Sequence, residues 1–562
     1  MGYQKGIIFD GYVDEPTALG VPPFISPYPR YVAGAFAEAG IPYRYLTVDQ
    51  WRSEDEWSGL LADAGDETLL VVICGLTVPG HYRGGTPLML HELQQVLEST
   101  GARAVVGGPV RHGYTLTGGT AALAMTVPEG AILAVGDLDE AVATLLTGGS
   151  NPAAARRPLR QLAARAVAGA LVTTHHPWFP HIIAEIETAR GCERKEHCSF
   201  CTENLGTGSE FRPGQHIQSE IGALAQAGVV HFRLGKQPNL FAWPGKLNDH
   251  GDVVPEPTAV AALFQGIRNV APGLKTLHID NVNPGFVARF PAECEEIAAA
   301  IASFNTPGDV AAFGVESVDP EVFGRHSLKA TAGEVMTAIE ILNRAGGRRQ
   351  GDGLPALLPG INLLFGLPGE SAATYERNLA FLEEVASRGL LLRRINVRQV
   401  MVFAGTPLQE MLKGRNPRVN KARFHRFKRR LAERVERPML QQLAPIGTRL
   451  PGIITEFRDG DVTFGRQPAS YPLLAGFPCP LPLRQIQDGF VVGHGFRSVT
   501  VLPDPLPVNT ISERALQALP GVGRKRAHRI VAARPFTGAH GLLDCLDDSS
   551  MLESLLHRLS FE

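Results

Sequence analysis

From His181 to about Leu412 strand-like and helix-like segments alternate without interruption, and this alternation constrains the fold more than any other feature. Strands are read at 181–187, 229–234 ("VVHFRL"), 275–281 ("KTLHIDN"), 310–315 ("DVAAFG"), 360–366 ("GINLLFG") and 395–403 ("INVRQVMVF"). Helical patterns such as "AGEVMTAIEILNRAGG" and "SAATYERNLAFLEEVASRG" lie between them. Residues 1 to about 165 repeat the theme with "KGIIFDGY", "TLLVVICGL", "RAVVGGPV" and "GAILAVGD" as strands. The helices there are "YPRYVAGAFAEAGI", "TPLMLHELQQVLESTG" and "LDEAVATLLTG". Strands alternating with helices predict α/β architecture, with a doubly wound parallel sheet in the N-terminal part.

Directly after the 181–187 strand, Cys192, Cys198 and Cys201 stand in one loop, "ETARGCERKEHCSFCTEN". Thiolates from a glycine-punctuated loop suit an iron–sulfur cluster or a zinc ion. Three favour the cluster. Structural zinc closes with a fourth ligand, and no His or Cys at zinc-finger spacing follows Cys201. A [4Fe–4S] cluster on three cysteines keeps one iron open for substrate or cofactor. Zinc and a chance grouping of buried cysteines are the alternatives. The other cysteines (Cys74, Cys294, Cys479, Cys545) are scattered singly, which indicates a reducing, cytoplasmic setting rather than a disulfide framework. No apolar run reaches the roughly 18–20 residues that span a bilayer, and the N-terminus lacks a signal-peptide pattern.

The loop resembles that of radical S-adenosylmethionine (SAM) enzymes, whose usual C-x3-C-x2-C follows the first barrel strand. Here the spacing is C-x5-C-x2-C, with Phe200 before the last cysteine as in the family. The resemblance implies a partial (β/α)6 barrel over 178–412, with the site at the C-terminal strand ends. It implies a [4Fe–4S] cluster on Cys192, Cys198 and Cys201 whose open iron chelates SAM. An electron from a donor such as ferredoxin or flavodoxin then cleaves SAM to a 5′-deoxyadenosyl radical. By the same resemblance, Gly235 and Gln237 lie where the methionyl amino group binds, although the usual acidic residue is missing. "FGVESVDPEVFGRHSLKAT" makes Glu316 and Ser317 candidates for the ribose or methionyl group, and Arg325 for the carboxylate. "GINLLFGLPGES" turns Asn362 into the lumen and places Gly366 near adenine, with Met401 and Phe403 as an apolar wall.

The 1–165 segment looks like the cobalamin-binding domains that precede such barrels. Gly107-Gly108 and the turn "CGLTVPG" sit where those domains approach the nucleotide tail, but the D-x-H-x-x-G signature of the cobalt-ligating histidine is absent. Cobalamin is thus a possible cofactor, and tight strand–helix turns are the plainer reading. Beyond the barrel, 413–445 begins as a basic helical connector with eleven Lys/Arg against two acids over Lys413–Arg437. Phe424 and Phe427 in it are expected to pack on the barrel. Residues 446–503 read as a small β domain placed like the RNA-binding TRAM domain. Within 506–562, "ERALQALPGVGRKRAHRIVAARPF" matches the helix-hairpin-helix pattern. In that motif the amides of Gly521 and Gly523 bind a phosphate, supported here by Arg524, Lys525 and Arg526. Removing 506–562 is expected to leave the barrel folded.

With a net charge of −2, any nucleic-acid affinity must come from such local patches. The leading expectation is a radical SAM enzyme that modifies a base in tRNA or another RNA. One alternative is a cobalamin-dependent radical SAM methyltransferase or rearrangement enzyme acting on a small molecule or protein. The other is a nucleic-acid-binding protein whose cluster is structural or redox-sensing.

Overall fold

The computed structural model describes residues 2–13, 24–78, 85–206, 208–546 and 550–562. Five parallel strands open the chain: β1 (Lys5–Asp10), β2 (Tyr43–Thr47), β3 (Thr68–Ile73), β4 (Arg103–Gly107) and β5 (Ile132–Leu133). Their order is β2-β1-β3-β4-β5, that of a doubly wound flavodoxin-like sheet. Side-chain alternation sends Ile8, Leu69, Val71 and Val105 to one core, and Ile7, Phe9, Leu70, Val72 and Val106 to another. Only Tyr45–Thr47 of β2 are buried, so apolar periodicity does not announce that strand. The turn "CGLTVPG" lies partly outside the described residues.

Six parallel strands follow: β6 (Ile183–Glu187), β7 (His231–Gly235), β8 (Thr276–Ile279), β9 (Asp309–Glu316), β10 (Leu357–Phe365) and β11 (Arg394–Gln399). Beyond Asp280, β8 resumes as Asn281–Val282, which pairs with β9. The circuit is therefore a partial barrel, open between β11 and the far edge of β6. The short strand Phe24–Ile25 extends that far edge by pairing with β6. Arg30, fully buried, reaches across to donate to Glu220 (2.9 Å) and to the Glu185 carbonyl. The first 165 residues and the barrel consequently share one continuous core.

The connector helix Lys421–Leu431 packs Phe424 and Phe427 on Phe365, at ring-centroid distances of 5.7 and 5.1 Å. Arg430 in this helix and Arg434 just beyond it pair with Glu376 and Glu383 of the barrel helix Ala372–Ser387. Part of the basic strip is thereby neutralised locally. Next comes a closed barrel of β12 (Arg449–Asp459), β13 (Val462–Arg466), β14 (Leu474–Phe477), β15 (Ile486–His494) and β16 (Ser498–Pro503). Its order is β12-β13-β14-β16-β15, with β14 and β16 parallel, the Greek-key closure of OB-folds. Helices Glu513–Gln517 and Gly523–Ala532 then flank a tight turn.

The expected boundary between 446–503 and 506–562 does not hold. Leu506, Leu516 and Ile530 share one core with Leu450, Phe490 and Leu502. Among the described residues, no helix is long and apolar enough to cross a membrane.

Candidate metal and substrate centre

The cysteine loop leaves the top of β6 and is closed at its base, where Ala189–Arg190 pairs antiparallel with Glu210–Phe211. Gly191 has φ +67°, and a Cβ there would lie 2.1 Å from the Gly208 carbonyl oxygen, so only glycine fits ahead of Cys192. Two anchors hold the loop. Glu193 accepts from the side-chain amides of Asn239 (3.0 Å) and Asn283 (3.1 Å). Ser199 Oγ lies 2.6 Å from His326 Nδ1, while His326 Nε2 donates to the Pro368 carbonyl (2.7 Å). That donation fixes the tautomer, so Nδ1 accepts from the Ser199 hydroxyl. Cys198 packs with Leu328, Leu367, Val400 and Val402, which seats the loop over the ends of β9–β11.

Burial raises all three thiols, Cys192 to about 12, and the charge on Cys198 adds to the rise at both of the others. Lys329 opposes this at Cys192 and Cys198, and Arg194 Nη1 sits 3.3 Å from Cys198 Sγ. Buried thiols become thiolates on binding a metal centre, and the two cations favour that state. Among the described residues, no three His, Cys, Asp or Glu side chains converge as ligands of a single ion.

Below the loop, strand alternation turns most apolar residues of β6–β11 outward and lines much of the lumen with polar ones, while Val310 and Ala312 pack on Tyr471. Arg233 lies 3.2 Å from Glu185 and 3.6 Å from Asp280. Gln237 is 1% exposed, yet among the described residues neither side-chain amide atom has a hydrogen-bond partner, and Asp280 Oδ1 also has none. Leaving a buried amide unsatisfied costs about 1–3 kcal/mol, which a polar ligand would offset. Glu316 sits at a bulge in β9 with φ +63°. Burial raises its pKa to about 7 against the opposing pull of Lys329 and Arg398. Backbone strain at a bulge re-aims a side chain and is common beside active sites.

The structure brings Cys192, Cys198, Cys201, Gln237, Glu316 and Asn362 to this end of the barrel or its lumen. Gly235 ends β7 with its α-carbon against the Glu185 carboxylate, where a Cβ would come within 2.3 Å. The structure places five other sequence-read residues as follows. Ser317 is buried in the turn after Glu316, its hydroxyl accepting from Asp319 N (3.2 Å). Arg325 is exposed and pairs with Glu321 (3.3 Å) one turn away. Gly366 (φ +101°) packs against Pro417 and Val419 of the connector. Met401 and Phe403 face the N-terminal sheet domain, packed with Leu76, Leu116 and Ala122, while the alternate residues Val400 and Val402 face the cysteine loop. Sequence reasoning overlooked Lys329, Arg194, Asn239, Asn283, His326 and Arg398. Lys329 and His326 do lie in the quoted "GRHSLKAT" stretch, the one local signal available.

At the N-terminal sheet edge the glycines are taken up in packing. Gly107 and Gly108 are closed off by Leu138 and by the Cys74 backbone, and a Cβ on Gly75 would strike the Val110 backbone nitrogen at 2.2 Å. These glycines serve loop–loop packing, and no histidine stands at the signature position. In the C-terminal hairpin, Gly521 (φ +79°) and Gly523 (φ +56°) are exposed beside exposed Arg524 and Lys525. Together with Gln517 and Leu519 they line an open concavity. Arg526 lines it too, and donates to the Gly521 carbonyl of its own turn.

No protein-family model matches the chain. An uncharacterised protein of Archaeoglobus fulgidus is 40% identical over 524 residues, covering 93% of this chain and 94% of that one. The uncharacterised protein MJ0274 of Methanocaldococcus jannaschii is 39% identical over 512 residues, covering 88% and 92%. The chain belongs to the family of these two archaeal proteins. Among solved structures it resembles the radical SAM methyltransferase TsrM of Kitasatospora setae at 14% identity and TM-score 0.48, covering 82% of this chain and 81% of that one. It also resembles the cobalamin-dependent SAM radical enzyme OxsB at 11% identity and TM-score 0.46, covering 76% and 56%.

Proposed function

We propose that the protein is a radical SAM iron–sulfur enzyme that holds a [4Fe–4S] cluster on Cys192, Cys198 and Cys201. The observation that carries this reading is the three-thiol loop seated over a polar barrel lumen, with Lys329 and Arg194 beside the sulfurs. A cluster bound there supplies the electron that splits SAM to methionine and a 5′-deoxyadenosyl radical. The chain's part is to orient and shield. The partnerless amide of Gln237 suits SAM's polar groups, and Val400 and Val402 close the apolar side of the loop.

Two substrate classes have support from particular residues. The enclosed polar lumen favours a small molecule or a reachable protein side chain, acted on by group transfer or rearrangement. Cobalamin assistance belongs to this class. The exposed, left-handed Gly521 and Gly523 beside Arg524 and Lys525 favour a nucleic-acid base as substrate.

Anaerobic reconstitution of wild-type protein is expected to give about four iron per chain. With SAM and dithionite it should form 5′-deoxyadenosine, and alanine at any of the three cysteines should abolish that product. Undiminished product in all three variants would remove the assignment. Absorbance of bound corrinoid, scanned on the same preparation from cobalamin-fed cells, decides the cobalamin question.

A further inference from the structure

Every second residue of β11 faces the lumen, which places Arg394, Asn396 and Arg398 on one wall. Asn396 stands opposite Asn362 in register and donates to its Oδ1 (2.7 Å), while Arg394 Nε donates to Asn396 Oδ1 (2.5 Å). The floor beneath comes from the small C-terminal barrel, whose segment between β13 and β14 enters the lower mouth. Ser470 N donates to His278 Nδ1 (3.1 Å), Ser470 Oγ donates to the Ile279 carbonyl (3.1 Å), and Arg393 holds the Tyr471 carbonyl (2.7 Å). Tyr471 is 3% exposed, and its ring lies under the Arg394 guanidinium at 4.5 Å.

The two arginines of this wall differ from Arg233, which has Glu185 and Asp280 beside it. Neither Arg394 nor Arg398 has a carboxylate within ion-pair distance among the described residues, and Arg398 makes no hydrogen bond to the protein. Arg394 is exposed and Arg398 half-buried. Burial and the charge of Arg398 push the Arg394 pKa down to about 10 against the pull of Glu436, and Arg398 acts across the lumen on Glu316 and Asp280 without an ion pair to either. Two guanidiniums without carboxylate partners on one wall offer an oxyanion their planar donor forks. Among the described residues the Asn362 amide NH2 has no hydrogen bond, its Oδ1 accepting from Asn396.

We propose that Arg398, Arg394 and Asn362 form an oxyanion site on the lumen wall, floored by Tyr471, that takes a carboxylate or phosphate of the substrate. The site rests on the lumen being the substrate chamber of the function proposed above, and it points to a small anionic substrate. Asp280, with its partnerless oxygen, faces the same lumen and suits a hydroxyl or amine of that substrate.

The test titrates full-length protein, without reductant or SAM, with inorganic phosphate and with malonate by calorimetry. A failure of the radical SAM assay therefore leaves this result independent. Wild type is expected to bind at least one of the anions, and the stronger response separates phosphate from carboxylate. Arg398→Gln should weaken binding roughly tenfold. Arg398→Lys should recover part of it. Asn362→Asp, which sets a carboxylate against the arginines, should abolish it and so serves if the Gln variant folds poorly. Arg344→Ala, at an exposed cation paired with Glu295 outside the barrel, should leave the titration unchanged. Absence of binding by wild type overturns the site, as does binding that survives the lumen changes.

Discussion

Glu316 shows how one residue ties backbone, charge and site together. Its left-handed φ of +63° at the β9 bulge turns the carboxylate toward Lys329, and burial lifts its pKa from 4.5 to about 7. Between those values the unfolded chain has released the proton while the folded chain retains it. Folding then takes up a proton, so this group's contribution to stability falls as pH rises from about 4.5 to 7. Glu316→Gln removes the ionisation and is expected to be the more stable protein at pH 7.5 by about 1–2 kcal/mol, a part of the linkage value because the group is partly solvated. At pH 5 the difference should shrink toward zero. Melting temperatures of cluster-free protein at the two pH values check this, and a gap independent of pH would contradict it.

At the scale of elements, legibility followed chain locality. All six barrel strands and the outward face of the connector can be read from apolar period alone, because each is a buried element whose pattern is set by its own residues. β2 escapes because its first half lies at the rim. Met401 and Phe403 were misplaced because alternation tells which residues share a face but not which neighbour covers it. Here the neighbour is the segment around Ala122, whose amide donates to the Val402 carbonyl (2.8 Å). The hairpin was the clearest short element, since its φ-positive glycines and buried Leu516, Val522 and Ile530 are dictated locally. Its exposed amides make a specific prediction for Arg524→Ala with Lys525→Ala. If this turn holds phosphate, the double variant should bind structured RNA more weakly. Its slope of log affinity against log salt should be shallower by about 1–2. Unchanged affinity and slope in mobility shifts would mark the hairpin as a packing element and leave the small anionic substrate as the reading.

The whole molecule is more tightly joined than its sequence divisions suggest, because the joints are made by residues hundreds of positions apart. Arg30 ties the N-terminal domain to β6, Tyr471 brings the C-terminal barrel into the lumen, and Arg558 reaches Asp504 (2.6 Å) and the barrel-loop residue Asp352. No local pattern encodes such contacts, which is why 506–562 reads from sequence as a detachable unit. Its removal would uncover part of the core it shares with the small barrel, at about 2 kcal/mol for each large apolar side chain exposed. Set against a usual total of 5–15 kcal/mol, that loss should unfold the small barrel. The floor around Ser470 and Tyr471 would then lose its support. A chain ending at Pro505 is accordingly expected to show a lower melting temperature and faster amide exchange across 276–279, where Ser470 and Pro468 meet β8. If exchange there and the melting temperature match those of the full chain, the floor is held by the barrel alone and the C-terminal unit is separable after all.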